Sequence, residues 1–453
     1  MLESAEKTIA KGAFWFSING WLTRAVGLVT VFFILRHLSL YEYGVVELVL
    51  SILPVLSLFL LPGINTVVVA DMSNAKGRGD ILEMKRTFLN FISLYSLFSV
   101  LAWVIVFFGA SLIDEFYSEQ VTSLIRITSF SFLVAPVRAT LGTFFTVYLK
   151  FFVQSSFLFL EELIKLVLIL LSFFVFDLRA SGVILSVVLS SFLASIVLLP
   201  AFIPLTKELR SVKLDGWKLN FDIIRFHAKW SMFSNYLNQT GSKLMLWIIQ
   251  VMLGTEAVAL YAVAEGLIGH TTSLAPISKV VDPIIPRYVT MKETFIKIIN
   301  KGIKYQFIAN MIIGIVAFSI FPTIILFLFP TYGVSVSLYK VMLLMLIPAA
   351  IAGIFNSIFY ATKSLKELFR LGVWRFFLIA ITTPIFIKLF GLYGIAYNYV
   401  IIVYLYTFWR YVSIKRMVLG FKLSFKDMFT FDEYDRLLIG RVKGKIFNSL
   451  FKK

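Results

Sequence analysis

The sequence contains no cysteine and only three histidines among 453 residues. The absence of cysteine excludes disulfide bonds, thiolate catalysis and thiolate metal sites, and it leaves the redox compartment open. The chain also lacks the Gly-x-x-x-x-Gly-Lys loop of ATP-binding proteins, the elbow serine of hydrolases and any His/Asp cluster at metal-ligand spacing. We therefore expect no catalytic residue, no metal and no cofactor.

Charged residues are also scarce: they make up 15% of the chain, against 59% hydrophobic residues, and the mean hydropathy is +0.89. A soluble core of this size cannot bury so many apolar side chains, so the composition predicts an all-α, polytopic membrane protein. A helix needs about 20 apolar residues to cross roughly 30 Å of hydrocarbon. By this rule the sequence predicts twelve spans, near Ala13–Leu35, Gly44–Val69, Phe88–Ile113, Ser123–Leu149, Ser156–Phe176, Gly182–Leu205, Ala228–Leu253, Ala257–Ile285, Tyr305–Phe329, Val336–Ala361, Leu368–Phe390 and Leu392–Met417.

The formal net charge of +18 follows the loops and does not form a nucleic-acid-binding patch. Lysine and arginine gather near the amino terminus, after every even-numbered span and in the tail, whereas one opposite loop carries Asp114, Glu115 and Glu119. This positive-inside pattern predicts that both termini face the cytoplasm, and we expect no nucleic-acid partner. The first dozen residues lack the layout of a cleaved secretory signal, so we expect the first span to be retained.

The longest basic loop separates two sets of six predicted spans. We divide the chain into an amino-terminal lobe (1–205), an amphipathic cytoplasmic linker (206–227), a carboxy-terminal lobe (228–418) and a basic cytoplasmic tail (419–453). Apolar residues recur every four positions in the tail, which is typical either of a helix on an anionic membrane surface or of a helix docked on the protein's own loops.

A shift of 215 positions superposes the second half of the chain on the first. Trp15 then aligns with Trp230, and Gly44 aligns with Ala259 in the turn after the first span of each half. The pattern predicts two parallel repeats related by an axis along the membrane normal, as in several transporter folds.

Four cations fall deep inside predicted spans, namely Arg24, Arg138, Lys243 and Arg375. A cation near the bilayer centre costs about 2.5–3.5 kcal/mol on insertion scales, so each one must face a polar cavity or a partner. Arg24 lies among small and polar residues, and Arg138 follows Pro136, which frees a backbone carbonyl and bends its helix. We expect the four cations to converge on one water-filled cavity.

Polar residues recur at three- and four-residue spacing along the seventh predicted span. Two interpretations stay open: this stripe forms hydrogen bonds between helices, each worth about 0.6–2 kcal/mol, or it lines a central water-filled cleft. On the second interpretation Asn235, Asn238 and Gln239 join the four cations as candidate substrate-binding residues.

The fifth predicted span carries Glu161 and Glu162 close to Lys165. The four-residue spacing favours an ion pair between Glu161 and Lys165. Three further cations lie near span ends, where we expect their charged groups to reach the membrane surface: Lys340, Lys388 and Arg410.

The eighth predicted span contains Glu265 and His270. Glu265 can pair with Lys243 on the neighbouring helix or carry a proton during a transport cycle. Glu265, His270 and Glu162 are thus candidate coupling or charge-partner residues. Deep cations outnumber deep acids by about four to two, and arginine fits phosphate oxygens with two parallel hydrogen bonds, so the predicted ligand is an anion such as a phosphate.

The segment from Gly12 to Leu48 resembles the opening of polysaccharide flippases of the Wzx type. The matching features are the aromatic cluster Phe14-Trp15-Phe16, the step Arg24-Ala25-x-Gly27 and the turn Leu38-Ser39-x-x-Glu42-Tyr43-Gly44. A second turn beginning Leu253-Gly254-Thr255-Glu256 resembles that family's repeat of the same element.

This resemblance implies membership of the superfamily that holds the multidrug and toxic-compound exporters (MATE) and the peptidoglycan lipid flippases. It implies about twelve membrane helices in two six-helix lobes around a central cationic cavity, which receives the diphosphate of an undecaprenyl-linked sugar. Arg24 matches the first-span arginine of that cavity. The chain departs from the pattern at Ser242-Lys243, where the family often carries an acid, so ion coupling through this helix is in doubt.

The resemblance implies a transporter, and no enzyme, that flips undecaprenyl-diphosphate-linked oligosaccharides across the bacterial inner membrane for O-antigen or capsule synthesis. Its expected partners are this lipid-linked substrate and membrane lipids, with a polysaccharide polymerase and glycosyltransferases of the same pathway as further candidates. Two alternatives stay open. A multidrug exporter of the same superfamily would need acids deep in its cleft, and a membrane glycosyltransferase or polysaccharide polymerase would need a large external loop.

Overall fold

The structure is a computed structural model that describes residues 2–56, 60–61, 63–113, 119–213, 219–220, 229–274, 285, 291–362, 364–418 and 420–423. The long elements in these ranges are all helices, and none of these residues lies in a β-strand. The all-α prediction is therefore confirmed. Most of the predicted linker core and the tail lie outside the described residues.

The helices of the first half are long and joined by short connections. They are α1 (Leu2–His37), α2 (Leu40–Leu56), α3 (Ile64–Gly77), α4 (Ile81–Gly109), α5 (Glu119–Val147), α6 (Phe151–Phe174), α7 (Arg179–Phe202) and the single turn α8 (Lys207–Arg210).

The helices of the second half have similar lengths. They are α9 (Lys229–Leu253), α10 (Thr255–Ser273), α11 (Lys292–Leu328), α12 (Gly333–Met342), α13 (Leu346–Ala361), α14 (Leu365–Phe390) and α15 (Leu392–Met417).

Eight segments in the described part of the chain are long and apolar enough to cross a membrane. They are Ile18–His37, Ile81–Leu112, Val121–Val147, Arg179–Arg210, Lys292–Leu328, Pro330–Ala361, Leu365–Phe390 and Leu392–Met417. The other four predicted spans fall on helices that are short or polar. Helix α2 has only 17 residues, and α6 carries three charges in its middle. Helix α9 contains many amide and hydroxyl groups, and α10 contains two glutamates, a histidine and several hydroxyl groups. The protein is therefore a multi-pass membrane protein.

Two predicted spans are not single helices. The second one, Gly44–Val69, is interrupted because α2 ends at Leu56 soon after Pro54, and α3 begins only at Ile64. Gly63, which precedes α3, has φ of 86°, a left-handed conformation that glycine adopts without strain. The tenth span is divided into α12 and α13 by a 3₁₀ turn over Leu343–Met345. By contrast, α5 continues through Pro136 without a break.

Helix contacts group the two halves of the sequence separately. In the first half α6 packs against α1 and α7, and α5 packs against α4 and α7. In the second half α14 packs against α9 and α15, and α13 packs against α11 and α15. The main contacts between the halves are those of α2 with α9 and α10, which places α2 at the junction.

The helix boundaries follow the offset of 215 positions seen in the sequence. Helix α2 begins at Leu40 and α10 begins at Thr255, which are 215 residues apart. Helix α1 ends at His37 and α9 ends at Leu253, which are 216 residues apart. Gly44 and Ala259, which the offset aligns, are both buried. The repeat in the sequence is thus also a repeat of the helix hairpin that opens each half.

Aromatic side chains join the two halves where α1 ends and α2 begins. The ring centroid of Phe32 lies 5.5 Å from that of Phe329, and the ring centroid of Tyr43 lies 6.3 Å from that of Tyr332. We call these four residues the aromatic seal. Beside it, a Cβ atom at Gly44 would collide with the carbonyl oxygen of Thr255, so only glycine allows α2 to approach α10 this closely.

Candidate functional site

Several clefts in this protein have volumes of about 430–690 Å³. One of them, with a volume of 610 Å³, is lined by Arg138, a predicted site residue. This cavity lies between α3, α4, α5 and α6. Arg138, Gly142 and Thr146 line it because residues four apart lie on the same face of a helix. The volume is in the range of small-molecule binding sites. We call it the Arg138 cavity.

The Arg138 cavity holds polar groups whose hydrogen-bonding capacity is not used. The Oδ1 atom of Asn65, the Oγ1 atom of Thr143 and the Oε1 atom of Gln154 are buried and have no hydrogen-bond partner among the described residues. A buried polar atom without a partner costs about 1–3 kcal/mol. A ligand rich in hydroxyl groups would satisfy these atoms.

Arg138 itself is only partly neutralised. Its Nη2 atom donates a 2.8 Å hydrogen bond to Oε2 of Glu161 on α6, and 46% of the Arg138 side chain remains exposed. The guanidinium has five N–H donors, and the bond to Glu161 uses one of them among the described residues, so further donors can reach a ligand. The cavity therefore offers one cation together with amide and hydroxyl groups.

The partner of Glu161 corrects one prediction from the sequence. Glu161 pairs with Arg138, whereas Lys165 pairs with Glu162 at 2.7 Å. The predicted pair of Glu161 and Lys165 was wrong because Glu161 faces α5, from which Arg138 extends. Glu162 faces α1 instead, where a Cβ atom at Gly27 would lie 3.4 Å from its Oε1 atom.

Three predicted residues on three helices come together at the junction of the halves. His270 on α10 interacts electrostatically with both Arg24 on α1 and Glu162 on α6. The Arg24 guanidinium also lies 5.7 Å from the ring centroid of Trp21. Arg24, Glu162 and His270 thus link the first half of the chain to α10.

A second group of charges surrounds Glu265 on α10. The Nζ atom of Lys243 on α9 donates to Oε2 of Glu265 at 3.5 Å, which confirms the predicted pairing. Arg375 on α14 also interacts electrostatically with Glu265. The Arg375 guanidinium lies 5.4 Å from the ring of Tyr406.

Sequence reasoning missed Glu47, which approaches the same group from the first half. Glu47 on α2 interacts electrostatically with Glu265 and is hydrogen-bonded to the side chain of Tyr43. An acid inside the second predicted span was the available signal. Asn65, Thr143 and Gln154 were also missed, because they come from three different helices and no local pattern in the sequence indicates that they converge.

The predicted polar residues of α9 differ in their surroundings. Asn235 is hydrogen-bonded to Tyr360 on α13, which favours the interpretation of the stripe as interhelical hydrogen bonding at this position. Asn238 is half-buried and Gln239 is exposed. Gln239 accepts a 2.8 Å hydrogen bond from Ser242 through its backbone carbonyl, so its side-chain amide is not used in that contact.

Arg410 also differs from the prediction. Its side chain does not reach the membrane surface, since only 4% of the residue is exposed. Nη2 donates to Oδ1 of Asn356 at 2.6 Å and to the hydroxyl of Tyr406 at 3.1 Å, and Nη1 donates to the carbonyl of Ala352. The expectation was wrong because α13 supplies acceptors beside the end of α15. Lys340 and Lys388 are exposed, and their position at the membrane surface stays a prediction.

These contacts place ionisable side chains in a series that crosses both halves, which we call the charge series. It contains Arg24, Glu47, Arg138, Glu161, Glu162, Lys165, Lys243, Glu265, His270 and Arg375. Arg138 pairs with Glu161, and Lys243 pairs with Glu265. His270 interacts electrostatically with Arg24 and Glu162, and Glu265 interacts electrostatically with Arg375. A single cavity shared by all four predicted cations stays a prediction. No group of three metal-ligating side chains occurs in the described residues.

Solved structures with the same fold are membrane transporters. A multidrug resistance MATE family transporter of the MOP superfamily in an inward-facing conformation matches with a TM-score of 0.72 and 12% identity, over 86% of this chain and 94% of that chain. The lipid II flippase MurJ, in an inward closed conformation, matches with a TM-score of 0.72 and 15% identity over 96% and 98% of the two chains. A MOP superfamily transporter from Pyrococcus furiosus matches with a TM-score of 0.70 and 11% identity over 91% and 97%.

These identities are low, so the similarities show the fold, which is the MATE-like fold expected from the sequence. None of the curated protein sequences matches the chain significantly. Residues 9–289 match the family described as polysaccharide biosynthesis proteins. Since this match covers more than half of the 453 residues, the chain belongs to the polysaccharide biosynthesis protein family.

Proposed function

We propose that this protein flips undecaprenyl-diphosphate-linked oligosaccharides across the bacterial cytoplasmic membrane during synthesis of a cell-surface polysaccharide. Both termini face the cytoplasm in this proposal, in agreement with the distribution of lysine and arginine. The work of such a protein is to shield a sugar and a diphosphate from about 30 Å of hydrocarbon while the prenyl chain stays in lipid. No covalent chemistry is required.

The observation that carries the proposal is the composition of the Arg138 cavity. An arginine that keeps free N–H donors fits a phosphate oxygen, and the unpaired atoms of Asn65, Thr143 and Gln154 fit sugar hydroxyl groups. The apolar side chains of Phe157 and Leu158 complete one wall, where an aromatic ring can pack on the apolar face of a sugar. A polar, partly cationic cavity in a membrane bundle suits a glycosyl diphosphate better than an apolar cation.

The charge series supports transport by alternating exposure of the substrate to the two sides. His270 and Glu265 lie on α10 and interact with residues of both halves, so a movement between the halves changes their electrostatic partners. Arg24, Lys243 and Arg375 would then contact the substrate in successive stages. Glu265, with Glu47 opposite, is the acid best placed to couple an ion to this movement.

The two alternative functions, a multidrug exporter and a membrane glycosyltransferase or polymerase, agree less well with the described residues. An exporter of cationic drugs would need an excess of acid, whereas cations outnumber acids in the charge series by five to four when histidine is not counted. A membrane glycosyltransferase or polymerase would need a large external loop, and the connections between the described helices at the predicted outer side are short. A polymerase and glycosyltransferases of the same pathway remain proposed partners, for either O-antigen or capsule.

The test is transbilayer movement of a fluorescent undecaprenyl-diphosphate sugar in liposomes that contain the purified protein. We expect Arg138→Ala and Arg24→Ala to slow the movement at least about tenfold, because a hydrogen bond to a charged group is worth about 1.5–3 kcal/mol. Arg179→Ala is the matched control, since Arg179 makes an exposed ion pair with Glu42 outside the cavity.

All variants must keep the wild-type unfolding temperature in detergent for the comparison to count. If the wild type and Arg138→Ala move the lipid at the same rate, the Arg138 cavity is excluded as the diphosphate site. No movement by wild type, with export of a cationic dye instead, would favour the drug exporter.

A further inference from the structure

A groove of 430 Å³ lies between α4, α5 and α7, on the side of α5 opposite the Arg138 cavity. Its floor is apolar, with Phe88 and Ile92 from α4, Val137 from α5 and Leu199 from α7. The wall from Lys85 to Ser96 follows α4 for eleven residues, which is about 16 Å at 1.5 Å per residue. The groove is therefore long, narrow and apolar along most of its length.

The mouth of the groove is basic. Lys85 and Arg210 line it at the end where α4 begins and α8 ends. Lys85 donates one hydrogen bond to the carbonyl of Val212 at 2.5 Å and keeps two further N–H donors. The nearby acids are neutralised elsewhere, because Glu83 pairs with Arg78 and Glu208 pairs with Lys76.

Below the mouth, the groove contains a hydroxyl group without a partner. Thr140 is 5% exposed, lines the groove, and its Oγ1 atom has no hydrogen-bond partner among the described residues. Two other threonines of α5 donate to a backbone carbonyl four residues earlier, Thr128 to Leu124 and Thr146 to Gly142. Thr140 does not, so its hydroxyl is available to a ligand in the groove.

We propose that this groove binds one anionic phospholipid of the surrounding membrane. The groups that line the groove match such a lipid: two cations suit the phosphate, the hydroxyl of Thr140 can donate to an ester carbonyl, and the apolar channel can hold an acyl chain. Basic pockets between membrane helices bind anionic headgroups in this way. The Arg138 cavity and this groove share α5, so the bound lipid would press on the helix that positions Arg138.

The experiment is native mass spectrometry of the full-length protein released from nanodiscs, with phosphatidylglycerol or phosphatidylcholine of the same acyl chains as probes. We expect the wild type to retain one phosphatidylglycerol and to prefer it over phosphatidylcholine. The double variant Lys85→Gln/Arg210→Gln should bind this lipid about 10- to 30-fold more weakly, since each cation contributes about a factor of five near an anionic headgroup.

Three further variants test the separate contributions of the cations, the apolar channel and the hydroxyl group to lipid binding. Lys366→Gln/Arg416→Gln removes two cations from a different cleft, between α14 and α15, and should retain the lipid. Ile92→Trp should fill the channel and expel the lipid with both cations in place. Thr140→Val should weaken binding without changing the preference for the anionic headgroup.

Equal retention by wild type and Lys85→Gln/Arg210→Gln would overturn the proposal, as would loss of the lipid in the Lys366→Gln/Arg416→Gln control. Retention of undecaprenyl phosphate in place of phosphatidylglycerol would also overturn it, because the groove would then belong to the prenyl substrate. Each variant is compared at an unchanged helical content, measured by circular dichroism.

Discussion

At the scale of single residues, deep cations are held by partners on neighbouring helices. Arg138 pairs with an acid of α6, Lys243 with an acid of α10, and Arg410 with acceptors of α13. A charge in hydrocarbon is tolerated only where it is paired or faces water. The pairs therefore contribute to helix packing as well as to the proposed substrate site. The pairing of Lys243 with Glu265 could be predicted because the two residues lie on consecutive helices. The partner of Arg138 could not, because the choice between Glu161 and Glu162 depends on the rotation of α6 about its axis.

The pair of Lys243 and Glu265 predicts a measurable coupling between α9 and α10. We expect Lys243→Met and Glu265→Gln each to lower the free energy of unfolding, and the double variant to lose less than the sum. A coupling of about 0.5–3 kcal/mol is typical of residues in contact. Unfolding of the four proteins in detergent measures it. The effects of Lys388→Met and Glu265→Gln on the free energy of unfolding should be additive, since Lys388 is exposed at the end of α14.

The buried hydrogen bonds of Arg410 predict that the shape of its side chain, and not only its charge, stabilises the protein. Arg410→Lys should lower the unfolding temperature, because an ammonium group cannot reach the acceptors on Asn356, Tyr406 and Ala352 together. The expected loss is about 1–3 kcal/mol, the cost of leaving a buried acceptor without a donor. Arg370→Lys is the control, because Arg370 is exposed and pairs with Glu367 three residues earlier on the same helix. Similar effects of both substitutions would contradict the assignment.

At the scale of helices, α2 and α10 approach more closely than side chains normally allow. Both helices begin at equivalent positions of the repeat, and Gly44 of α2 contacts the backbone of Thr255 at the start of α10. The offset of 215 positions in the sequence predicted the equivalence of the two helices. It did not predict their contact, because a repeat specifies each copy and not how the copies pack. The end of α2 at Leu56 could not be predicted either, because the apolar run in the sequence continues past this residue.

Gly44→Ala should prevent this close approach. The added methyl group collides with a backbone carbonyl, so α2 must move, and overpacking of this kind costs about 1–3 kcal/mol. We expect a lower unfolding temperature and slower transport of the lipid-linked sugar. Gly20→Ala and Gly266→Ala are the controls, because a Cβ atom there meets no atom within 4 Å. These two substitutions should leave stability unchanged or raise it, as alanine favours helix.

At the scale of the whole molecule, the two halves touch through the aromatic seal at one end of the bundle. Composition alone predicted the fold class, because a bilayer admits few structures for a chain this apolar. The Arg138 cavity was only partly predictable: its cation is conspicuous in the sequence, but Asn65, Thr143 and Gln154 come from three different helices. Their convergence depends on helix rotations that no local pattern encodes.

If the aromatic seal opens during transport, linking it should stop transport. The chain has no cysteine, so the pair Phe32→Cys and Phe329→Cys can be joined by a short bifunctional thiol reagent without side reactions at other thiols. We expect the linked protein to lose movement of the fluorescent lipid and the unlinked double variant to keep it. Trp15→Cys and Phe152→Cys is the control, because that pair joins α1 to α6 within one half. Unchanged transport after complete linking of Phe32 and Phe329 would show that this end stays closed.

The positions of the ion pairs also bear on how the chain is made. Helix α6 carries three charged residues near its middle, and a central charge costs about 2.5–3.5 kcal/mol on insertion, so α6 would leave the translocon poorly by itself. Arg138 on α5 is synthesised before Glu161 on α6, and Lys243 on α9 is synthesised before Glu265 on α10. In both pairs the basic helix precedes its acidic partner along the chain. Insertion as helical hairpins would let each new acid meet a cation that is already in place.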